Sequence, residues 1–273
     1  MQALKTDPTT DIMFRMDGDL PAKAVLLLVH GLGAHSERWQ FLTDFFQRRD
    51  IACYSIELKG FGETKTRLGH INSFKTYFND IRSLYQIIKK ENPQKKVFIA
   101  GESMGGLLAF LMGALEPRMF DGIICLAPAF ASRLPVSFLK YVDIVVARFL
   151  FPLKRFTVRI TPQMCTRDAE YQKIMEKDPR EHRFASAKLL WEIARAEVHA
   201  VALAGKIIRP VLFLLPGQDS VVNMQASEHV FNFLPLKDKS MIHYEDMHHA
   251  MSVELGRERV FDDMYAWLIK RLK

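Results

Sequence analysis

Cysteine is scarce in this 273-residue chain, and the three present are widely spaced at Cys53, Cys125 and Cys165. An odd, scattered set of this kind excludes a disulfide framework, and neither C-x-x-C nor H-E-x-x-H occurs, so no metal site is expected. Cys53 and Cys125 sit in apolar, strand-like runs, where the natural reading is a free buried thiol in a reducing compartment. No stretch of eighteen apolar residues occurs, so no membrane span is expected. The N-terminal Met1-Gln2-Ala3-Leu4-Lys5-Thr6-Asp7-Pro8 lacks the charged start and apolar core of a secretion signal. A cytoplasmic location follows as the expectation, with peripheral contact to a membrane compatible with it. Internal repeats and low-complexity tracts are absent too.

What the chain does have is apolar residues at 49% against 25% charged, enough for one large core. Phe (20) and Met (13) are abundant, which suits an adaptable apolar binding surface as well as a core. Net charge is +7, unevenly placed: residues 131–206 hold fourteen Lys/Arg and eight Asp/Glu, so +6 of the excess lies in this one segment. No nucleic-acid-binding module accompanies it, and nucleic acid is not an expected partner.

Apolar runs and helical stripes alternate. Ala24–Val29, Ile51–Ile56, Val97–Ala100, Gly122–Ala127, Val211–Leu215 and Met241–Tyr244 read as strands, most of them buried on both faces. Phe74, Tyr77, Phe78, Ile81, Leu84, Tyr85 and Ile88 make an amphipathic helix, and Val260, Phe261, Met264, Leu268 and Leu272 another. This alternation predicts an α/β fold, a mostly parallel central sheet with helices on both faces. Ile12–Met16 with Asp17-Gly18 and the residues after them suggest a small hairpin at the sheet edge. The pattern breaks between Pro128 and Pro210. Residues 129–206 are therefore expected to form an inserted helical cap, with 1–128 and 207–273 as the core domain. Within it, residues 134–151 read as a helix in which Ser137, Lys140, Ile144 and Arg148 form one narrow stripe and the rest is apolar. Such a helix can rest on an anionic lipid interface, or pack its apolar face inward to line an acyl tunnel.

The chemistry centres on Gly101-Glu102-Ser103-Met104-Gly105, set between a strand and a helix. A nucleophilic serine needs this sharp turn, which lifts the hydroxyl above the sheet and puts the next N–H at a helix N-terminus, ready for an oxyanion. Serine chemistry also needs a base and a group to orient it. Asp219, just past a strand in Pro216-Gly217-Gln218-Asp219, is the candidate acid; the alternative is a turn-capping aspartate before Val221. His248 and His249 are both candidate bases. His30-Gly31-Leu32-Gly33 follows the first central strand, where the Leu32 N–H can supply the second oxyanion donor.

These segments resemble the monoacylglycerol lipase and lysophospholipase branch of the α/β-hydrolases. The resemblance runs from His30 to the C-terminus and includes His35-Ser36-Glu37-Arg38-Trp39, Thr166-Arg167-Asp168, Lys177-Asp178-Pro179-Arg180-Glu181-His182, and Glu254 after His249. It implies the α/β-hydrolase fold, a triad of Ser103, Asp219 and His249, and an oxyanion hole of the Leu32 and Met104 amides. It selects His249 over His248 by spacing from Tyr244 and Glu254. It also implies a single-chain lipid ester as substrate, cleaved without a cofactor. Two departures stand out. Glu57-Leu58-Lys59-Gly60-Phe61-Gly62-Glu63-Thr64 replaces an Asp-x-Arg-Gly-His-Gly-x-Ser segment, with Lys59 for Arg and Phe61 for His. Asp246 stands where glycine is common, close enough in sequence to offer His249 a second carboxylate. The alternatives are a short-chain or aromatic-ester esterase, a thioesterase or an acyltransferase on the same scaffold, and a non-catalytic receptor. An intact Ser103, Asp219 and His249 set argues against the last.

Overall fold

The computed structural model describes residues 3–18 and 21–272. Ten strands follow in chain order: β1 (Lys5–Thr6), β2 (Met13–Asp17), β3 (Ala24–Val29), β4 (Ile51–Glu57), β5 (Val97–Glu102), β6 (Gly122–Leu126), β7 (Arg155–Thr157), β8 (Phe184–Ser186), β9 (Val211–Pro216) and β10 (Lys239–Tyr244). Eight of them form one sheet in the order β1-β2-β4-β3-β5-β6-β9-β10, parallel from β4 to β10. The runs read as strands from sequence are all here, because a parallel sheet covered on both faces favours near-continuous apolar runs. Every residue of β3, β4, β5, β6 and β9 is buried.

Helices α1 (Gln40–Gln47) and α9 (Arg257–Ile269) cover one face. On the other lie α2 (Phe74–Glu91), α3 (Met104–Leu115) and α8 (Met224–Phe233). The α2 stripe behaves as its spacing requires: Phe74, Tyr77, Ile81, Leu84 and Ile88 are buried, and Ser73 caps the first turn by accepting the Lys75 N–H. Strand β3 separates the two cores cleanly, with Val25, Leu27 and Val29 on the α2–α3 side and Ala24, Leu26 and Leu28 on the other.

The N-terminal edge differs from the sequence expectation. β2 pairs antiparallel with β4 on one side and with the upstream β1 on the other. A turn is built before β2: the Asp7 carboxylate accepts the Thr10 N–H and hydroxyl, and Asp11 adopts φ 54°. Asp19 and Leu20, part of the expected hairpin, lie outside the described residues.

Between β6 and β9 the chain leaves the sheet. It forms α4 (Phe138–Leu150), β7, α5 (Pro162–Cys165), α6 (Ala169–Lys177), β8 and α7 (Ala187–Leu203). β7 and β8 pair as a small antiparallel ribbon. β8 runs directly into α7, which begins where Ser186 accepts the Leu189 N–H. Helix α4 packs with its narrow stripe inward. Ala147 is buried, Ile144 and Arg148 are half-buried, and Lys140 donates to the Thr157 carbonyl. The broad apolar surface faces outward, with Phe138 77% and Leu139 79% exposed, and Phe149, Leu150 and Phe151 beside them.

Candidate active site

Ser103 sits at the junction of β5 and α3 with φ 59° and ψ −121°. A non-glycine residue held there is strained by about 1–3 kcal/mol, so the surrounding backbone must enforce it. Glycines let it do so. A Cβ on Gly105 would lie 2.0 Å from the Val29 carbonyl oxygen, and one on Gly101 would lie 2.1 Å from that of Gly105. With both absent, α3 closes directly against the ends of β3 and β5. The Ser103 hydroxyl lies 2.9 Å from His249 Nε2, and His249 Nδ1 lies 2.7 Å from Asp219 Oδ2. The sheet brings the three together: Ser103 follows β5, Asp219 follows β9 and His249 follows β10, all at the carboxyl edge.

Asp219 makes the contacts that each of its two sequence readings requires, one set on each oxygen. Oδ1 accepts the N–H groups of Val221 (2.7 Å) and Val222 (2.9 Å), which leaves Oδ2 for the imidazole. Burial alone would raise its carboxyl; the positive field of His249, its hydrogen bond and the two backbone donors outweigh this and hold it below the usual range. For His249, burial works to lower the basicity. Asp219 overcomes that through charge and hydrogen bond, with Glu102 adding to it, so the imidazole is raised above its ordinary value. Glu102, the variable residue of the serine turn, is itself buried. It accepts the Ser252 N–H and hydroxyl, each at 2.9 Å, and so ties β5 to the turn that follows His249. Sequence reasoning gave it no role, because a carboxylate in that position is informative only once Ser252 is seen beside it.

His248 turns away. Its Nδ1 lies 3.0 Å from the Gln163 carbonyl, and its N–H donates to Glu254. Asp246 also points elsewhere, bound to Arg259 at 2.9 Å and Arg167 at 3.3 Å. Glu254 is fully buried and accepts the Arg167 N–H, which joins two of the sequence motifs.

The Leu32 loop is held by His30, whose Nδ1–H donates to the Gly31 carbonyl while Nε2 accepts the Leu58 N–H. Burial lowers the basicity of His30, in keeping with this neutral tautomer. Among the described residues no acceptor engages the Leu32 or Met104 N–H. The His182 N–H donates to the Gly33 carbonyl, and Arg38 pairs with Glu181, so the segment 178–182 lies against this loop. At the two departures, Lys59 pairs with Asp80 at 3.0 Å, and Phe61 is buried with its ring parallel to His182 at 5.3 Å. An apolar ring there replaces a polar one and stacks the departing loop onto the insertion.

Two cavities meet at Ser103 and Leu32. The smaller, about 60 Å³, is polar in part and includes Arg38, Glu102, Glu181, His182 and His249. The larger, about 290 Å³, runs under the insertion and is mainly apolar, with Met104, Val136, Ile144, Phe156, Leu190 and Ile193 in its wall. Among the described residues no group of His, Cys, Asp or Glu clusters as a metal would need. The three cysteines are free and buried.

A parallel sheet in this strand order, with a strained serine above its carboxyl edge, defines a serine hydrolase built on the α/β-hydrolase fold. Comparison with known proteins is more particular. The chain belongs to the family described as serine aminopeptidase, S33, whose model matches residues 21–256. It is 23% identical to a monoglyceride lipase of Rattus norvegicus, over 92% of this chain and 84% of that one. It is 24% identical to a monoacylglycerol lipase of Mycolicibacterium smegmatis, covering 93% and 91% of the two chains. The crystal structure of Paleococcus ferrophilus monoacylglycerol lipase superposes with a TM-score of 0.88 at 23% identity, covering 95% of this chain and 99% of that one. The chain is thus similar, over most of its length, to two monoacylglycerol-type lipases in sequence and to a third in fold.

Proposed function

We propose that the protein hydrolyses single-chain lipid esters, of the monoacylglycerol or lysophospholipid type, through an acyl-enzyme on Ser103. The observation that carries this reading is the larger cavity. It opens on Ser103, and its walls are apolar over most of their length. A small polar ester would leave that surface empty, whereas an alkyl chain fills it.

His249 Nε2 takes the Ser103 proton as Oγ attacks the ester carbonyl, and Asp219 steadies the imidazolium. The Leu32 and Met104 N–H groups receive the oxyanion. His249, which lines the smaller cavity, then protonates the leaving alcohol there, and the acyl chain stays in the larger one. Water deprotonated by His249 releases the acid. Residues 129–206 serve as a cap that roofs the acyl side.

The outward apolar face of α4 supports a second element of the proposal, peripheral contact with a lipid surface. Because Lys140 and Arg148 turn inward, insertion of Phe138, Leu139 and Phe149 is the main attraction, and anionic charge is secondary. No described helix is long and apolar enough to cross a membrane.

The test is hydrolysis of p-nitrophenyl esters of rising chain length, with a monoacylglycerol and a lysophospholipid, by wild type and Ser103→Ala. The expected result is a preference for long chains and loss of turnover in the variant with the fold intact. A sharp preference for acetyl or butyryl esters overturns the lipid reading, and a variant that keeps most of its rate overturns the serine mechanism.

A further inference from the structure

One ionisable group in the larger cavity has no part in the chemistry above. Leu190, Ile193, Ala194 and Glu197 lie at helical spacing on one face of α7, and all four line that cavity. The first three suit an alkyl chain. Glu197 does not: it places a carboxyl in a wall that is otherwise mainly apolar. Among the described residues no hydrogen bond or ion pair reaches it. Burial pushes its carboxyl up to about 7, with no nearby cation to offset this. An unpartnered carboxyl in such a wall disfavours a plain alkyl chain, because the chain strips its water and returns no hydrogen bond. A ligand that carries its own hydrogen-bonding group removes that penalty.

We infer that Glu197 makes the acyl cavity selective for fatty acyl chains bearing a hydroxyl group, which the carboxyl engages by hydrogen bond. This rests on the ester-hydrolase reading above and specifies its substrate. A hydroxyl suits the carboxyl in either protonation state, since it can donate to the ionised form and accept from the neutral one. The acyl part is indicated rather than the alcohol, because the leaving alcohol must lie near His249, which lines the other cavity.

The experiment compares kcat/KM for methyl palmitate with its hydroxy derivatives, the hydroxyl moved from mid-chain to the ω end, in wild type, Glu197→Leu and Glu197→Gln. Wild type is expected to prefer at least one hydroxy isomer by about tenfold, some 1.4 kcal/mol. Glu197→Leu should erase that preference by accelerating the plain chain, and Glu197→Gln should keep part of it. No isomer favoured more than twofold by wild type overturns the inference, even if the Leu variant fails to fold. So does a preference that survives Glu197→Leu, or an ω-amino chain favoured over the ω-hydroxy one. The glyceryl ester provides the remaining arm. If Glu197→Leu changes the glyceryl-to-methyl ratio and leaves the hydroxyl ratio alone, the acyl placement is wrong. Failure of wild type to cleave any of these esters removes the hydrolase reading itself, a result distinct from cleavage without preference.

Discussion

Replacing Asp219 with Asn tests the site most sharply, because the structure dictates which way the new amide faces. Oδ1 accepts two backbone N–H groups, from Val221 and Val222, and Oδ2 accepts from His249. An asparagine has one oxygen for these two places. Turning the amide nitrogen toward the loop would leave both N–H groups facing a donor, at about 1–3 kcal/mol each. The oxygen therefore stays on the loop, and the NH2 group meets His249 Nδ1. The imidazole must then accept at Nδ1 and carry its proton on Nε2, where it can no longer take one from Ser103. Taking the low end, about 2 kcal/mol, the productive orientation falls roughly 30-fold in population. Loss of the carboxylate that stabilises the imidazolium adds to this, and the same substitution in a comparable triad lowers kcat about 10⁴-fold. We expect kcat to fall between about 10³- and 10⁴-fold. KM should hold, since Asp219 lines neither cavity. Steady-state turnover of a soluble ester, with thermal unfolding as a control for folding, measures both. A variant within tenfold of wild-type kcat would refute the loop-imposed orientation and the role of Asp219 with it.

The remaining predictions follow from single contacts. The proposed mechanism requires neutral His249; since its basicity is raised, kcat/KM should rise with pH through a limb above the ordinary imidazole value of about 6.5. Glu102→Gln removes a negative charge that helps hold the proton on His249, so the limb should move to lower pH with kcat within a few fold; an upward shift contradicts the electrostatic account. Gly105→Ala should lower stability by about 3 kcal/mol or more, a Tm fall of about 6 °C or greater, and abolish turnover, because its Cβ would lie 2.0 Å from the Val29 carbonyl oxygen. A Phe138→Ser and Leu139→Ser double variant should lose retention on neutral phosphatidylcholine vesicles in a flotation assay; retention equal to wild type removes α4 from the lipid contact.

The parallel core was legible because its inner strands of Val, Ile and Leu are buried on both faces; Ser103 and Asp219 follow such strands closely, and His249 follows the half-buried edge strand β10. Their loops are short, so position along the chain fixes position at the sheet edge. Less was visible where partners come from afar. The role of Glu102 depends on Ser252, and that of His30 on Leu58. The β7–β8 ribbon has three residues per strand, too few for a period to register. Helix α4 could be read either way from its stripe. Only the position of α7 and the ribbon decides that Lys140 and Arg148 turn in and the phenylalanines out.

The contacts along the insertion are unequal. Its second half is fastened at many points: His182 to the Gly33 and Gly60 carbonyls, Arg38 to Glu181, Arg180 to Glu37, Ser186 to the Gly69 carbonyl, and Arg167 to Glu254. In α4 the side-chain ties among the described residues are lighter, Lys140 to the Thr157 carbonyl and Lys154 to Asp143, both within the insertion itself. Swinging the whole insertion aside would drag Gly33, and with it the neighbouring Leu32 amide, out of register with the serine. Displacing α4 alone would disturb neither. On the proposed reading, a chain that enters past α4 would meet a Leu32 amide that has not moved.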